Sequence, residues 1–317
     1  MLVSCVRSDG GVPMRKTLAG LAVLVSVAAA CSSSTTTIPA ATGSVTQTAQ
    51  ECAATATFAT DGSLTVGTDN PAYPPYFQGG TAKGSDWKIN DPNTGKGFES
   101  AVAYEIAKRM GFTADQVKWV VVPFDQSYAP GPKDFDFDIN QISYKAGRAK
   151  AVDFSDSYYD VNQALVAVKG TPIADATSIA DLKPYSIAAP LGTSSYDTIT
   201  NVIQPDQEAG VYNTLDDTVA ALNAGTVDGI VVDLPTALYI ADPYVQEVKN
   251  SVVVGQFPVP AEGTTEYFGT VQPKDSTLTP CIDAALQEMK ADGTLQDLTQ
   301  KWLSEKTNVG TVPEFTS

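Results

Sequence analysis

Residues 134–155 read DFDFDINQISYKAGRAKAVDFS, and this stretch decides the fold that the sequence predicts. From Asp134 to Ile139 acidic and apolar residues alternate strictly. Because successive side chains of a strand point to opposite faces, Phe135, Phe137 and Ile139 share one face and the aspartates share the other. The stretch therefore predicts a strand with one apolar face.

The residues before this strand supply the other parts of a first lobe. Residues 64–68 (LTVGT) form a β-rich run that ends at a turn signal, and residues 117–122 are also strand-like. Residues 99–110 carry apolar side chains at near-helical spacing, with Gly111 just after them. The order strand, helix, strand predicts an α/β lobe with a largely parallel sheet.

A second lobe of similar construction is predicted after the first. Strand-like runs occur at 165–168, 185–188 and 229–233, and residues 215–223 have a helical pattern. From Phe268 onward a strand and two helices are predicted to return to the first lobe. The predicted domains are thus 59–165 with 266–317 for lobe 1 and 166–265 for lobe 2. The two crossings between them form a hinge, which gives a two-lobed α/β fold.

The N-terminal residues have the pattern of an export signal. Met14, Arg15 and Lys16 precede an apolar run from Leu18 to Ala30 that is 13 residues long. That length is short of the roughly 20 residues that a membrane-spanning helix needs, and small residues end it, as in a secretory signal. We therefore predict a signal peptide at 1–30, with translation starting at Met14.

The residue that follows the predicted signal peptide is Cys31, and its position resembles a bacterial lipobox, in which the cysteine receives lipid. A plain secretory signal cleaved nearby is the alternative. Residues 32–50 are rich in Ser, Thr, Ala and Gly and show no periodicity. We therefore predict a lipid-anchored tether at 31–58, which places the folded part outside the cell, on its membrane.

Composition excludes several classes of function. The 317 residues carry a formal net charge of −16 and include no histidine. Such an acidic chain would repel nucleic acid, so nucleic acid is not expected as a partner. Without histidine, catalytic sites of the Ser-His-Asp or Cys-His kind and zinc sites that need imidazole are ruled out. No cofactor and no metal site is expected.

Four cysteines limit the possible disulfides. Cys5 precedes the predicted start and Cys31 is the predicted lipid anchor, which leaves Cys52 and Cys281. In an oxidising compartment an even remainder favours a disulfide, and two buried free thiols are the alternative.

An ordered set of motifs over residues 60–305 resembles the polar amino-acid-binding proteins of bacterial ABC importers, extracellular solute-binding family 3, of the lipoprotein type found in Gram-positive, actinobacterial-like envelopes. The set comprises residues 64–69 with YPPY at 73–76, GFE at 97–99, QISYKAGR at 141–148, AVDFS at 151–155, DLK at 181–183, LGT at 191–193 and KWL at 301–303. The resemblance implies a periplasmic-binding-protein fold of type II, with a ligand cleft between the lobes. It also implies a monomer that delivers a free amino acid to a membrane permease.

The resemblance assigns residues to that cleft, and the chemistry of an amino acid supports the assignment. A buried carboxylate and a buried ammonium each need a fixed opposite charge. Arg148 matches the position that binds the ligand carboxylate in two parallel hydrogen bonds, and Asp233 matches the ammonium acceptor. The remaining implied ligand-binding residues are Ser143, Thr193 and Ser194 as donors, Tyr73 and Phe124 as flanking aromatics, and Asp69 for a polar ligand side chain.

Several departures from the family pattern concern the identity of the ligand. Gln141 is predicted to bring an amide into the pocket, where many relatives have a small residue. Lys145, Ala146 and Gly147 replace a commoner Thr-x-Glu sequence before the arginine. An inserted loop at 78–96 is interpreted as a tolerated insertion, with a lid or a partner surface as alternatives. Its DPNTG sequence at 91–95 lacks the later acidic ligands of a calcium loop.

Three functions remain open from the sequence. The first is a receptor that captures a polar amino acid, closes around it and presents it to an importer. The second is a sensory lipoprotein with the same cleft, which only gene context or an uptake experiment separates from the first. The third is a secreted cyclohexadienyl dehydratase on the same scaffold, which needs a carboxylic acid of shifted pKa in the cleft. We expect a binding protein and not an enzyme.

Overall fold

The computed structural model describes residues 47–245, 247–258, 266–304 and 312–317. The predicted signal peptide, the start at Met14, the lipidated Cys31 and most of the tether lie outside these residues. Within the described ranges, no helix has both the length and the apolar character needed to cross a membrane.

The described strands, in chain order, are β1 (Leu64–Thr68), β2 (Val117–Val121), β3 (Phe137–Asp138), β4 (Val152–Phe154), β5 (Tyr159–Asp160), β6 (Gln163–Val168), β7 (Ile187–Pro190), β8 (Gly210–Tyr212), β9 (Gly229–Asp233), β10 (Ser251–Gln256), β11 (Tyr267–Phe268) and β12 (Val271–Pro273).

The described α-helices are α1 (Ala49–Ala53), α2 (Phe98–Arg109), α3 (Phe124–Ser127), α4 (Ser194–Thr198), α5 (Leu215–Asn223), α6 (Leu234–Ile240), α7 (Thr279–Ala291) and α8 (Thr294–Thr299). π-helical turns extend α4 over Ile199–Ile203 and α8 over Gln300–Ser304.

The first lobe contains a five-stranded sheet in the order β2-β1-β3-β12-β4. β1 is parallel to β2 and β3, whereas β12 is antiparallel to β3 and β4. Because β12 follows the second lobe along the chain, one strand of the first sheet comes from residues beyond that lobe. The predicted return of the chain to lobe 1 is therefore present in the sheet itself.

The second lobe contains a five-stranded sheet in the order β10-β6-β9-β7-β8. Along β6, Ala164 and Val166 belong to one core, and Leu165 and Ala167 belong to another. Since neighbouring residues of a strand face opposite ways, the sheet is covered on both faces. Together with the first sheet, this confirms the predicted two-lobed α/β fold.

Two of the passages of the chain between the lobes run through short strands. β5 precedes the entry into the second lobe, β11 follows the return, and the two pair antiparallel with Tyr159 opposite Phe268. This pairing ties the crossings side by side. The contact fits a hinge, because both crossings must bend together when the lobes move.

Three predicted domain limits differ from the structure. The predicted tether extends too far, because Thr48 caps α1 with a capping box and α1 packs on α7. Lobe 2 begins before residue 166, because β6 starts at Gln163. Lobe 1 does not extend to residue 317, because Glu314 bridges to Gln256 of lobe 2 in a parallel pairing. Pairing between distant segments decided each of these limits.

The predicted disulfide between Cys52 and Cys281 is confirmed, with a Cα–Cα distance of 5.2 Å and a sequence separation of 229 residues. It joins α1 to the first turn of α7, so it ties the start of the folded region to its late helices. Closing so long a loop removes much conformational freedom from the unfolded chain, which stabilises the fold by at most roughly 5 kcal/mol.

We predict that reducing this disulfide lowers the melting temperature by several degrees. Calorimetric melting of residues 47–317 with and without reductant measures the effect. The double variant Cys52→Ser/Cys281→Ser serves as the control, since reductant has no disulfide to act on in it. Equal melting temperatures for the oxidised and reduced wild type would contradict the prediction.

Candidate functional site

A cavity of about 350 Å³ lies between the two lobes. It is lined by residues at the ends of strands and at the starts of helices in both lobes. All nine residues that the sequence assigned to a ligand site line it: Asp69, Tyr73, Phe124, Gln141, Ser143, Arg148, Thr193, Ser194 and Asp233. The fold therefore brings together side chains that are up to 164 positions apart in the sequence.

Arg148 is held rigidly on the lobe 1 side of the cavity. Its Nη1 donates to the carbonyl of Ser143 at 2.7 Å and its Nη2 to the carbonyl of Gly192 at 2.8 Å. The guanidinium carbon lies 4.1 Å from the ring centroid of Tyr128 and 5.3 Å from that of Phe124. These contacts fix the plane of the guanidinium before any ligand arrives.

The charge of Arg148 has no ion-pair partner among the residues that the structure describes. Its side chain is buried, and none of the ion pairs among the described residues involves it. Burial lowers the pKa of the guanidinium from its ordinary value, while Tyr128 and the acids Asp197 and Glu266 oppose this effect. A buried cation held only by carbonyls and aromatic rings is a binding point for an anion.

Asp233 stands on the lobe 2 side, at the end of β9 and the start of α6. Its Oδ1 accepts from the backbone N–H of Thr236 at 2.9 Å, and its Oδ2 accepts from the hydroxyl of Thr236 at 2.8 Å. The hydroxyl of Tyr76, from lobe 1, donates to Oδ1 at 2.5 Å. Asp233 is thus a helix cap, as its place at a strand end suggests, and it also lines the cavity.

Burial raises the pKa of Asp233, and its hydrogen bonds with Tyr76 and Thr236 oppose that rise. No ion pair among the described residues involves this carboxyl. A cation that entered the cavity would therefore gain an acidic partner without displacing a basic one.

Ser143 is in the cavity, but its hydroxyl already has partners. It donates to Glu266 Oε1 at 2.5 Å and lies 3.0 Å from the hydroxyl of Ser194. Gln163 Nε2 donates to both oxygens of the same glutamate, at 3.1 and 3.2 Å. The network crosses from lobe 1 to lobe 2, so these hydroxyls connect the lobes as well as lining the cavity.

The sequence analysis missed Gln163 and Glu266 in this network. Gln163 begins β6, and Glu266 immediately precedes β11, so both stand at the crossings between the lobes. Nothing in the local pattern marks either residue. Only the pairing of the two crossings, which the sequence does not display, brings them beside Ser143.

Gln141 lines the cavity, and its amide is also hydrogen-bonded to the protein. Its Nε2 donates to Glu99 Oε2, and its backbone N–H donates to Glu99 Oε1 at 2.7 Å. The physical reason for these hydrogen bonds is that Glu99 is a fully buried carboxyl, which needs donors inside the protein.

A second group of charged residues lines the cavity around Tyr73. Asp69 is half-buried, and burial raises its pKa although the backbone N–H groups of Asn70 and Phe124 oppose the rise. Asp216, in the first turn of α5, lies close enough to the Tyr73 hydroxyl to raise the pKa of that tyrosine, after the larger effect of burial. Lys88 also lines the cavity and favours the charged form of Asp69.

Lys88 belongs to the inserted loop at 78–96, which the sequence left as a tolerated insertion, a lid or a partner surface. Gln78 and Lys96 close the loop through an antiparallel bridge, and Trp87 is buried against the lobe 1 core. Asp91 caps the short 3-10 helix Pro92–Thr94. Among the described residues no group of three or more acidic or thiol side chains is arranged to hold a metal ion. The loop therefore contributes a wall of the cavity.

A partly buried ion pair joins the lobes beside the cavity. Lys145 Nζ, in lobe 1, lies 2.5 Å from Asp197 Oδ2 of α4 in lobe 2. Neither residue lines the cavity. Lys145 is one of the departures from the expected pattern before the arginine, so this contact between the lobes involves one of those departures.

Comparison with known proteins agrees with this architecture. The model of the bacterial extracellular solute-binding proteins, family 3, matches residues 64–305. The chain is 27% identical to "ABC transporter glutamine-binding protein GlnH" of Bacillus subtilis, over 68% of this chain and 77% of that protein. It is 28% identical to "L-cystine-binding protein TcyJ" of Escherichia coli K12, over 76% of this chain and 82% of that protein.

A solved structure has the same fold at similar identity. The structure described as "An ancestral arginine-binding protein bound to arginine" matches with a TM-score of 0.61 and 28% identity. The match covers 76% of this chain and 98% of the other.

We predict that the ion pair of Lys145 and Asp197 favours the closed arrangement of the lobes. Lys145→Ala or Asp197→Ala should increase the radius of gyration in small-angle X-ray scattering at low salt. A modest change is expected, because a partly exposed ion pair stabilises by about 0.2–1 kcal/mol. Lys274→Ala is the matched control, since Lys274 pairs with Asp153 within lobe 1 at 2.7 Å. An increase in the control equal to that in Lys145→Ala would contradict the assignment.

Proposed function

Because the chain belongs to the bacterial extracellular solute-binding proteins of family 3, we propose that it is the extracellular receptor of an ABC importer for a free amino acid. The amino acid binds between the lobes, favours their closed arrangement and is delivered to a membrane permease that recognises this arrangement. The monomer acts outside the cell, held at the membrane by a lipid on Cys31.

One observation carries this proposal: a buried cation and a partly buried anion, neither of them in an ion pair among the described residues, line the same cavity from opposite lobes. Arg148 donates two parallel hydrogen bonds to the ligand carboxylate, and Asp233 accepts hydrogen bonds from the ammonium. A free amino acid supplies both missing charges at once. Only the closed arrangement offers both partners, so binding and closure are thermodynamically linked.

The charged residues around Tyr73 indicate which kind of amino-acid side chain the cavity favours. With Arg148 and Asp233 assigned to the two backbone charges, the lining still holds the acids Asp69 and Asp216 against the single base Lys88. This surplus favours a side chain that donates hydrogen bonds, and a positively charged side chain most of all. Tyr73 and Phe124, which also line the cavity, pack on the aliphatic part of such a side chain.

The dehydratase alternative rests on the raised pKa of carboxyls in the cleft. Burial accounts for the raised pKa of Asp233, and the carboxyl is engaged as the cap of α6. The curated relatives described above are binding proteins by name. We therefore propose that the chain is not an enzyme and needs no cofactor. A sensory role uses the same cleft, and loss of uptake on gene deletion separates transport from sensing.

We predict that Arg148→Ala abolishes amino-acid binding while the protein stays folded. The buried pair of guanidinium and ligand carboxylate is lost, which costs about 3–5 kcal/mol and weakens affinity by a factor of the order of 1,000. Isothermal titration of refolded residues 47–317 with the twenty amino acids measures this, and circular dichroism checks the fold.

Lys150→Ala is the matched control, because it removes an exposed cation two residues away. Affinity retained within a few-fold in Arg148→Ala would contradict the carboxylate assignment. If the folded wild type binds none of the twenty amino acids, the proposed function is contradicted, and prephenate and arogenate would then be tested.

We predict that Asp69→Asn weakens binding of L-arginine more than binding of L-glutamine. The substitution removes a half-buried negative charge that only a cationic side chain can use. About a tenfold loss for arginine corresponds to the 1.4 kcal/mol of one charge-assisted hydrogen bond. Asp125→Asn removes an exposed charge nearby and should leave the ratio unchanged. Equal losses for both amino acids in Asp69→Asn would contradict the charge argument.

A further inference from the structure

We propose that Glu99 is a positioning residue of the ligand site: its carboxylate holds the turn at residues 140–143 in the binding conformation, so that amino-acid affinity depends on the charge of Glu99. This inference rests on the proposed function for its binding readout. It goes beyond it by adding a residue that does not line the cavity and by giving the site a dependence on pH.

Glu99 lies directly behind the cavity wall, in the first turn of α2. Its side chain is fully buried. Gly97, which caps the helix, has a φ of 98°, and a Cβ there would lie 2.3 Å from the carbonyl oxygen of Tyr76. The close approach that this glycine permits lets Glu99 N–H donate to that carbonyl at 3.0 Å, which places the start of α2 against the cavity floor.

The carboxylate of Glu99 collects three donors from two other segments. Oε1 accepts from the backbone N–H of Gln141 at 2.7 Å and from the hydroxyl of Tyr158 at 2.5 Å, and Oε2 accepts from the side-chain amide of Gln141. Two of the three donors belong to one residue of the cavity wall. Glu99 therefore clamps that residue at its backbone and at its side chain simultaneously.

The clamped residue has a backbone conformation that needs such support. Gln141 has a φ of 49°, in the left-handed region that is costly for a residue other than glycine, by about 1 kcal/mol or more. Its neighbours Asn140 and Ser143 line the cavity, and Ser143 also provides the carbonyl that holds Arg148. Loosening the turn would displace the residues around the predicted ligand carboxylate.

The clamp works best with an ionised carboxylate, yet the surroundings disfavour that charge. No described cation pairs with Glu99, and the titratable groups facing it are Tyr158 on the crossing, Tyr76 before α2, Asp138 on β3 and Asp233 on lobe 2. Burial raises the pKa of Glu99 to about 7, against the hydrogen bonds from Tyr158 and Gln141. Protonation near neutral pH would place a hydrogen where three donors already point.

The sign of the effect on folding is opposite to its effect on binding. The pKa of about 7 in the folded protein exceeds the ordinary value of 4.5, so the folded state binds a proton more tightly than the unfolded chain does. The stabilisation from this group is therefore complete below pH 4.5 and is lost as pH rises through 7. Ionised Glu99 therefore lowers the free energy of unfolding at the same pH at which it is proposed to hold the turn. A carboxylate whose role was only to stabilise the fold would not have this effect.

The test uses Glu99→Gln, which keeps the shape and removes the charge. In titrations with L-arginine, or with the amino acid that the calorimetric panel identifies, wild-type affinity should fall roughly three- to tenfold from pH 8 to pH 6, the range expected for one ordinary intramolecular hydrogen bond. Glu99→Gln should bind more weakly at pH 8, vary little over this range and melt no lower than wild type at pH 8. Wild-type affinity and an unchanged pH profile in Glu99→Gln would overturn the proposal.

A second variant tests the clamp where Glu99→Gln fails to fold. Tyr158→Phe removes one donor to the ionised form, so it should raise the pKa of Glu99 and move the midpoint of the binding profile to higher pH. Tyr239→Phe is the matched control, because it removes a hydroxyl that donates to Glu247 at 3.3 Å on lobe 2. An unmoved midpoint in Tyr158→Phe, or an equal movement in the control, would contradict the clamp.

A readout without ligand separates this inference from the proposed function. In protein labelled with ¹⁵N-glutamine, the backbone amide of Gln141 should titrate with the midpoint of Glu99 in the wild type and show no such midpoint in Glu99→Gln. Titration of this amide without binding of any amino acid would contradict the proposed function alone. Binding without titration of this amide would contradict the clamp alone.

Discussion

A buried guanidinium that forms no ion pair with any described residue is the constraint on which the site depends. Arg148 is buried between the lobes, and the protein supplies it with two carbonyls and two aromatic rings. Carbonyl dipoles fix its direction but leave its net charge in place, so an anion in the cavity is strongly favoured. One of these carbonyls belongs to Gly192 of lobe 2, which makes the position of the arginine sensitive to the position of that lobe.

The architecture turns this local constraint into a two-lobe mechanism. Strand β12, which follows the second lobe along the chain, belongs to the first sheet, and the crossings β5 and β11 pair with each other. The lobes are therefore joined at one side by a narrow, doubled connection, and the cavity lies where their separation changes. Interactions that span the cleft, such as Tyr76 with Asp233, form or break together when the hinge moves.

The sequence predicted those parts of the structure that depend on local pattern and on motif order. Residues 64–68, 215–223 and 229–233 have the predicted bounds, because turn signals and caps end these elements locally. The nine site residues line one cavity because the order of the motifs along the chain indicates where each motif lies in the fold. The hydrogen bond of the Gln141 amide was not predicted, since its partner is a buried acid 42 positions away. The roles of Glu266 and of the chain end at Glu314 were missed for the same reason: partners far apart in the sequence decide them.

The distribution of buried acids links closure to the charge of the ligand. Glu99 and Asp138 of lobe 1 are fully buried carboxyls, and Asp233 of lobe 2 is a partly buried one. All three have a raised pKa, and desolvation is the largest cause for each. Neither oxygen of Asp138 has a hydrogen-bond partner among the described residues.

Closure brings Asp233 towards Glu99, and the charge of each raises the free energy of the other's ionised form. An ammonium group placed against Asp233 relieves this repulsion. A ligand that carries an ammonium group therefore offsets the electrostatic free energy that closure without a ligand would cost. Under the proposed function the ammonium of the ligand therefore favours the closed arrangement of the lobes, which is the property that a receptor needs if its closed form is to report an occupied site.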